Sequence, residues 1–137
     1  MARHVVATTK EIPLGGRKLV EVAGRPVVVF NLDGEFFALL DRCPHKGGSL
    51  CAGTQTGLVE SSGPGEYHYS RRGEIIRCPW HAWEFDIRTG KSRCDPRRMK
   101  VRTFPASVAP GAELLQAPPA ATTFAVTVEG EYVLIEA

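Results

Sequence analysis

Apolar and polar positions alternate, or run together as short apolar blocks, in HVVATT (4–9), KLVEVA (18–23), PVVVFNL (26–32), EFFALL (35–40), EIIRC (74–78), WEFDI (83–87), KVRTFPASV (100–108), FAVTV (124–128) and EYVLIE (131–136). Their β-branched and aromatic content predicts strands. Turn signals lie between them: Ala23-Gly24-Arg25-Pro26, Asp33-Gly34, Thr89-Gly90 and Glu129-Gly130. Glycine there supplies the positive φ that tight connections between twisted strands require. No long stretch combines a helical period with caps, so the predicted fold class is all-β. Segments 53–73 and 109–123 are rich in Gly, Pro, Ser and Thr, which predicts long loops.

A chain of 137 residues accommodates one domain with a hydrophobic core. Its 43% apolar and 23% charged residues are the balance of a globular protein, neither disordered nor fibrous. The start, MARHVVATTKEI, lacks the apolar core of a secretory signal, and no apolar run approaches the roughly 18 residues of a membrane span. These features predict a cytoplasmic protein with no membrane partner. Four cysteines are then too few for a disulfide scaffold, which favours metal or redox use. Charge is uneven: ten cations face four anions between residues 71 and 102, whereas residues 103 to 137 carry four anions and no cation.

Two of the four cysteines and two of the four histidines fall in matched boxes, Cys43-Pro44-His45-Lys46-Gly47-Gly48 and Cys78-Pro79-Trp80-His81. Each box offers one thiolate and one imidazole. Structural zinc sites usually draw like ligands from each knuckle, Cys with Cys and His with His, so a zinc-stabilised binding module is the weaker reading of mixed boxes. A binuclear iron–sulfur centre accepts mixed loops, since the cysteine of each can serve one iron and the histidine the other.

With these boxes and the strands around them, over about residues 5 to 108, the chain resembles Rieske [2Fe–2S] proteins. The resemblance implies an antiparallel β-sandwich or barrel with a small two-loop cluster-binding subdomain. It makes residues 1–137 a single domain, with the cluster-binding part at about 41–95. The implied ligands are Cys43, His45, Cys78 and His81, holding one [2Fe–2S] cluster per chain. High-potential members carry an extra cysteine in each box, joined as a disulfide; Gly48 and Trp80 stand at those positions. They also place Ser and Tyr hydroxyls near the cluster, where this chain has Trp83 and Phe85. Fewer donors to the sulfurs imply a potential towards the lower end of the roughly −150 to +300 mV Rieske range. The implied function is one-electron transfer without a substrate-transforming site. A flavin-dependent reductase would be the donor and a terminal oxygenase or related enzyme the acceptor. The small subunit of an assimilatory nitrite reductase is the alternative within the family.

Outside the boxes, Cys51 and Cys94 are expected as buried thiols, and His4 and His68 as ordinary strand or surface residues. Trp80, Trp83 and Phe85 are expected in the core. The cations Arg71, Arg72, Arg88, Lys91, Arg93, Arg97, Arg98, Lys100 and Arg102 form a basic stretch around the second box. A nucleic-acid partner is not expected; a solvated face, or steering towards an acidic redox partner, accounts for the stretch.

Overall fold

The structure is a computed structural model that describes residues 2–45, 47–80, 82–116 and 125–137, without the side chains of residues 58–62 and 68. Two hairpin turns organise its first half. Ala23 and Gly24 have φ of 51° and 78°, and Asp33 and Gly34 of 53° and 92°. Two consecutive positive φ values twist a two-residue loop in the sense of the strands it joins. Strands β2 (Arg17–Val22), β3 (Arg25–Leu32) and β4 (Glu35–Leu40) are thereby locked in register, with Val22 opposite Arg25 and Leu32 opposite Glu35.

The chain divides into two compact units, Met1–Leu40 with Thr103–Ala137, and Asp41–Arg102. In the first unit, β2-β3-β4 gains a short strand β8 (Thr103–Phe104), while β1 (Arg3–Thr8), β10 (Glu131–Glu136) and β9 (Ala106–Pro110) form a second sheet in the order β1-β10-β9. Strand β10 is apolar on both faces. Val133 and Ile135 pack with Val27, Val29, Ala38 and Phe104, whereas Tyr132 and Leu134 pack with Leu114 of helix α1 (Gly111–Gln116). A strand covered on both sides reads as a continuous apolar run, which is how YVLI appears in the sequence. Gly111 is required by close approach, because a Cβ there would lie 1.6 Å from the Thr127 carbonyl oxygen.

The second unit is a three-stranded antiparallel sheet, β5 (Thr54–Gly63), β6 (Glu66–Arg77) and β7 (Glu84–Asp86). Ile75, Ile76, Phe85 and Ile87 are fully buried in it. The 53–73 segment, expected as a long loop, is thus mostly a hairpin turning at Pro64-Gly65. Its strands were hidden because the described side chains along 64–70 face solvent, leaving no apolar alternation to read. The register shifts between Thr56 and Leu58, where Arg71 takes a left-handed φ of 49°.

Two other expectations are corrected. Residues 109–123 are not one loop, since β9 runs to Pro110 and α1 follows; residues 117–124 lie outside the described set. The described part of FAVTV, residues 125–128, forms no strand. There the Thr127 amide donates to the Tyr132 hydroxyl at 2.8 Å, and the Gly130 amide to the Thr127 carbonyl, folding the segment into a turn.

Charge pairs brace β6 against β7. Arg71 donates to Glu74 and Asp86 (3.0 and 2.8 Å), Arg88 donates to Glu74 (2.9 Å), and Glu84 accepts from Arg77 and Arg93. Burial raises the Glu74 pKa, but the guanidinium groups of Arg88 and Arg71 outweigh it and hold the carboxyl below its ordinary 4.5. A group depressed in this way stabilises the fold above its unfolded-state pKa and loses that contribution as pH falls through the folded value. Glu74→Gln is therefore expected to unfold at lower urea than the natural sequence at about pH 7, with the gap closing by about pH 2. Urea titrations at the two pH values check this; an unchanged gap would refute the electrostatic account.

Candidate functional site

Both cysteine boxes lie in the unit Asp41–Arg102, at loops with the same backbone design. In loop one, the Cys43 amide donates to the Gly48 carbonyl at 2.8 Å; in loop two, the Cys78 amide donates to the Trp83 carbonyl at 2.7 Å. Each closure spans five residues. The residue before each closing carbonyl is left-handed, Gly47 at φ 81° and Ala82 at φ 57°. Glycine takes that conformation freely, while alanine is held there by the closure against a steric cost.

Loop one is also braced from inside the unit. Asp41, 8% exposed, accepts a hydrogen bond from the Ser49 hydroxyl at 2.7 Å and from the Cys51 amide at 2.6 Å. One carboxylate thus ties the start of the loop to its end. Nothing in the sequence singled Asp41 out, because the signal is a contact across eight to ten residues. Loop two is braced by its strands, β6 delivering Cys78 and β7 leaving from Trp83, with Arg77 paired to Glu84 at their junction.

The loops meet. Cys43 and Cys78 are each 1% exposed, and their thiols lie within hydrogen-bonding reach of each other. Burial pushes the Cys78 thiol pKa up, partly opposed by the Trp80 amide that donates to its sulfur. The His45 ring, from loop one, lies against Trp83, from loop two, with centroids 4.9 Å apart and planes tilted by 37°. A Cβ on Gly48 would stand 3.1 Å from Cys78 Sγ and 3.2 Å from the Trp80 ring. Glycine therefore keeps the space over the sulfur open.

The structure brings Cys43 to Cys78 and sets His45 against Trp83 of the second loop; His81 lies outside the described residues. Among the described residues no group of three or more His, Cys, Asp or Glu side chains is already gathered into a metal-binding geometry. The donor chemistry nevertheless suits an iron–sulfur group. Two buried thiols adjoin, an imidazole shares the same pair of loops, and Gly48 leaves room beside a sulfur. The aromatic expectations separate. Phe85 is fully buried and Trp83 half-buried, but Trp80 is 53% exposed, because it rides on the outward turn of loop two rather than on a strand. Cys51 is half-buried and Cys94 exposed, so the expectation of two buried thiols is not met. Cys94 follows buried Ser92 on a bend, with its amide held by the Ser92 hydroxyl and its side chain turned to solvent.

Replacing Ala82 by Gly should cost no stability, whereas Ala82→Val should cost about 1 to 2 kcal/mol through the left-handed backbone. Asp41→Ala should cost about 2 kcal/mol by stranding two donors. Urea unfolding of the three variants reads both effects, and equal stability of the Gly and Val forms at residue 82 would disprove the backbone argument.

Comparison with known proteins agrees with this geometry. A family model described as the Rieske [2Fe-2S] domain matches residues 2–105. The 3-phenylpropionate/cinnamic acid dioxygenase ferredoxin subunit of Photorhabdus laumondii is 33% identical over 111 residues, covering 81% of this chain and 90% of the relative. Among solved structures, the ferredoxin of carbazole 1,9a-dioxygenase from Nocardioides aromaticivorans IC177 is similar with a TM-score of 0.63 and 24% identity, covering 80% of this chain and 91% of that one. A chain of the reduced complex between oxygenase and ferredoxin in carbazole 1,9a-dioxygenase has a TM-score of 0.61 and 23% identity; the match covers 97% of this chain but only 27% of that one. This chain thus spans about a quarter of that one's length. From the length of the family match and the identity to the Photorhabdus relative, the chain belongs to the Rieske [2Fe-2S] domain family.

Proposed function

We propose that this protein is a ferredoxin-type carrier that receives single electrons from a flavin-dependent reductase and delivers them to a terminal oxygenase. The observation that carries the reading is the meeting of two equally built loops, with the Cys43 and Cys78 thiols side by side and His45 packed on Trp83. Cys43 and Cys78 would hold one iron, and His45 and His81 the other. When bound, a [2Fe–2S] cluster supplies a site that gains and loses one electron without making or breaking bonds to a substrate.

The residues of the chain account for the rest. The compact unit Asp41–Arg102, which contains the 41–95 part expected to bind the cluster, would be the cluster-binding unit. Gly48 keeps side-chain bulk away from Cys78, and buried Phe85 shuts water out below loop two. Neither Trp83 nor Phe85 has a hydroxyl to offer a sulfur, which supports a low potential within the family. Pro44, Gly47, Pro79, Trp80 and Ala82 are exposed, so the outward side of both loops is open to a partner. The dioxygenase ferredoxin names of the relatives support an oxygenase as acceptor. An exposed Cys94 thiol suits a reducing compartment, which supports a cytoplasmic location.

Anaerobically purified protein is expected to contain two iron and two acid-labile sulfide per chain, and to give a paramagnetic spectrum after dithionite reduction. Cys43→Ser and Cys78→Ser should each lose the iron, whereas Cys94→Ser should retain it. Colourless protein containing zinc and no labile sulfide would overturn the proposal.

A further inference from the structure

The basic stretch around loop two divides sharply once its side chains are placed. Arg71 and Arg88 are paired with Glu74 and Asp86, and Arg77 and Arg93 share Glu84. Arg72 lies over the Tyr69 ring, 5.1 Å from its centroid. By contrast Lys91, Arg97, Arg98 and Lys100 are exposed, and among the described residues their side chains make no ion pair or hydrogen bond.

Those four cations are carried by one small ribbon. The Ser92 amide donates to the Met99 carbonyl at 3.0 Å and the Val101 amide to the Gly90 carbonyl at 2.7 Å, which sets Lys91 directly opposite Lys100. Arg97 and Arg98 ride the connecting turn, closed by the Met99 amide on the Asp95 carbonyl at 2.9 Å. Like charges placed opposite each other on paired segments repel. Elsewhere in the same unit carboxylates relieve such repulsion; here the half-buried Asp95 is the nearest acid in sequence.

The ribbon also has a defined position relative to the candidate site. Ser92 bridges to Phe85, and the Arg93 amide donates to the Glu84 carbonyl at 3.0 Å, so the ribbon runs antiparallel along β7. The residue before β7 is Trp83, which packs on His45. The unpaired cations therefore lie on a ribbon that flanks β7, the strand that leaves loop two, on the unit that carries both boxes.

We infer that the ribbon 91–100 is a docking surface for an acidic face of a protein redox partner, with Lys91, Arg97, Arg98 and Lys100 as its contacts. The inference rests on the electron-carrier reading and adds the sign of charge on the partner. Complementary charge on the unit that carries both boxes speeds encounter and orients the partner without demanding tight binding. A nucleic acid fits less well. The ribbon has no exposed aromatic on which bases could stack, since Ser92, Arg93, Cys94, Asp95, Pro96 and Met99 fill its remaining positions, and four clustered cations make no track along a phosphate backbone.

The test compares Arg97→Glu/Arg98→Glu with Lys10→Glu/Arg25→Glu, which makes the same change in net charge at exposed cations of the other unit. Cytochrome b5, an acidic haem protein, serves as the probe in two arms: binding to the immobilised haem protein, and its rate of reduction by the dithionite-reduced carrier. At low ionic strength the 97/98 variant is expected to lose about tenfold or more in both arms, with the difference vanishing in high salt and the 10/25 variant near natural. Equal losses in both variants, or none in the 97/98 variant, would overturn the inference. It also fails if the 97/98 change abolishes binding to a short DNA duplex while sparing cytochrome b5. Iron content and the reduced-state paramagnetic spectrum are read on every sample. Their absence condemns the electron-carrier reading, while the binding arm still reports on the ribbon.

Discussion

Two main-chain hydrogen bonds, one from the Cys43 amide and one from the Cys78 amide, each reach five residues along the chain and impose the same curl on two loops. A thiolate needed at a shared centre must be fixed by its backbone, because a cysteine side chain has a single rotatable bond before its sulfur. The curl requires a left-handed residue just before each closure, and Gly47 and Ala82 meet that requirement at unequal cost. Proline directly after each cysteine limits the loop further by fixing φ.

The supports of the two loops differ because they enter the unit differently. Loop two is the connection between adjacent strands of one sheet, so ladder bonds and the Arg77–Glu84 pair hold its ends together. Loop one has no such ladder among the described residues, and Asp41 replaces it by binding the Ser49 hydroxyl and the Cys51 amide. The mutual packing of His45 and Trp83, and the fit of Gly48 over the Cys78 sulfur, then join the loops.

Charge in this unit serves two ends. Glu74, Asp86 and Glu84 turn four arginines into braces between β6, β7 and the segments that flank them, while the ribbon 91–100 keeps its cations for the outside. A count of Lys and Arg along the chain merges these populations. Only the tertiary structure separates a guanidinium that uses its hydrogen bonds internally from one that offers them to a partner.

The amino-acid order by itself determined the strand pairs around Ala23-Gly24 and Asp33-Gly34, since turn chemistry and the neighbouring apolar runs are local. It also determined the family, through two mixed boxes whose residue types and spacing leave few other uses. The pairing of residues 54–63 with 66–77, whose described side chains along 64–70 lie in solvent, was decided by a backbone ladder that composition does not reveal. The same holds for Trp80, apolar in type yet carried outward by its turn, and for Cys94, exposed on a bend. Asp41 and the sorting of the arginines likewise belong to the tertiary structure, because each depends on residues far apart in sequence being brought within hydrogen-bonding distance, and no local pattern encodes that distance.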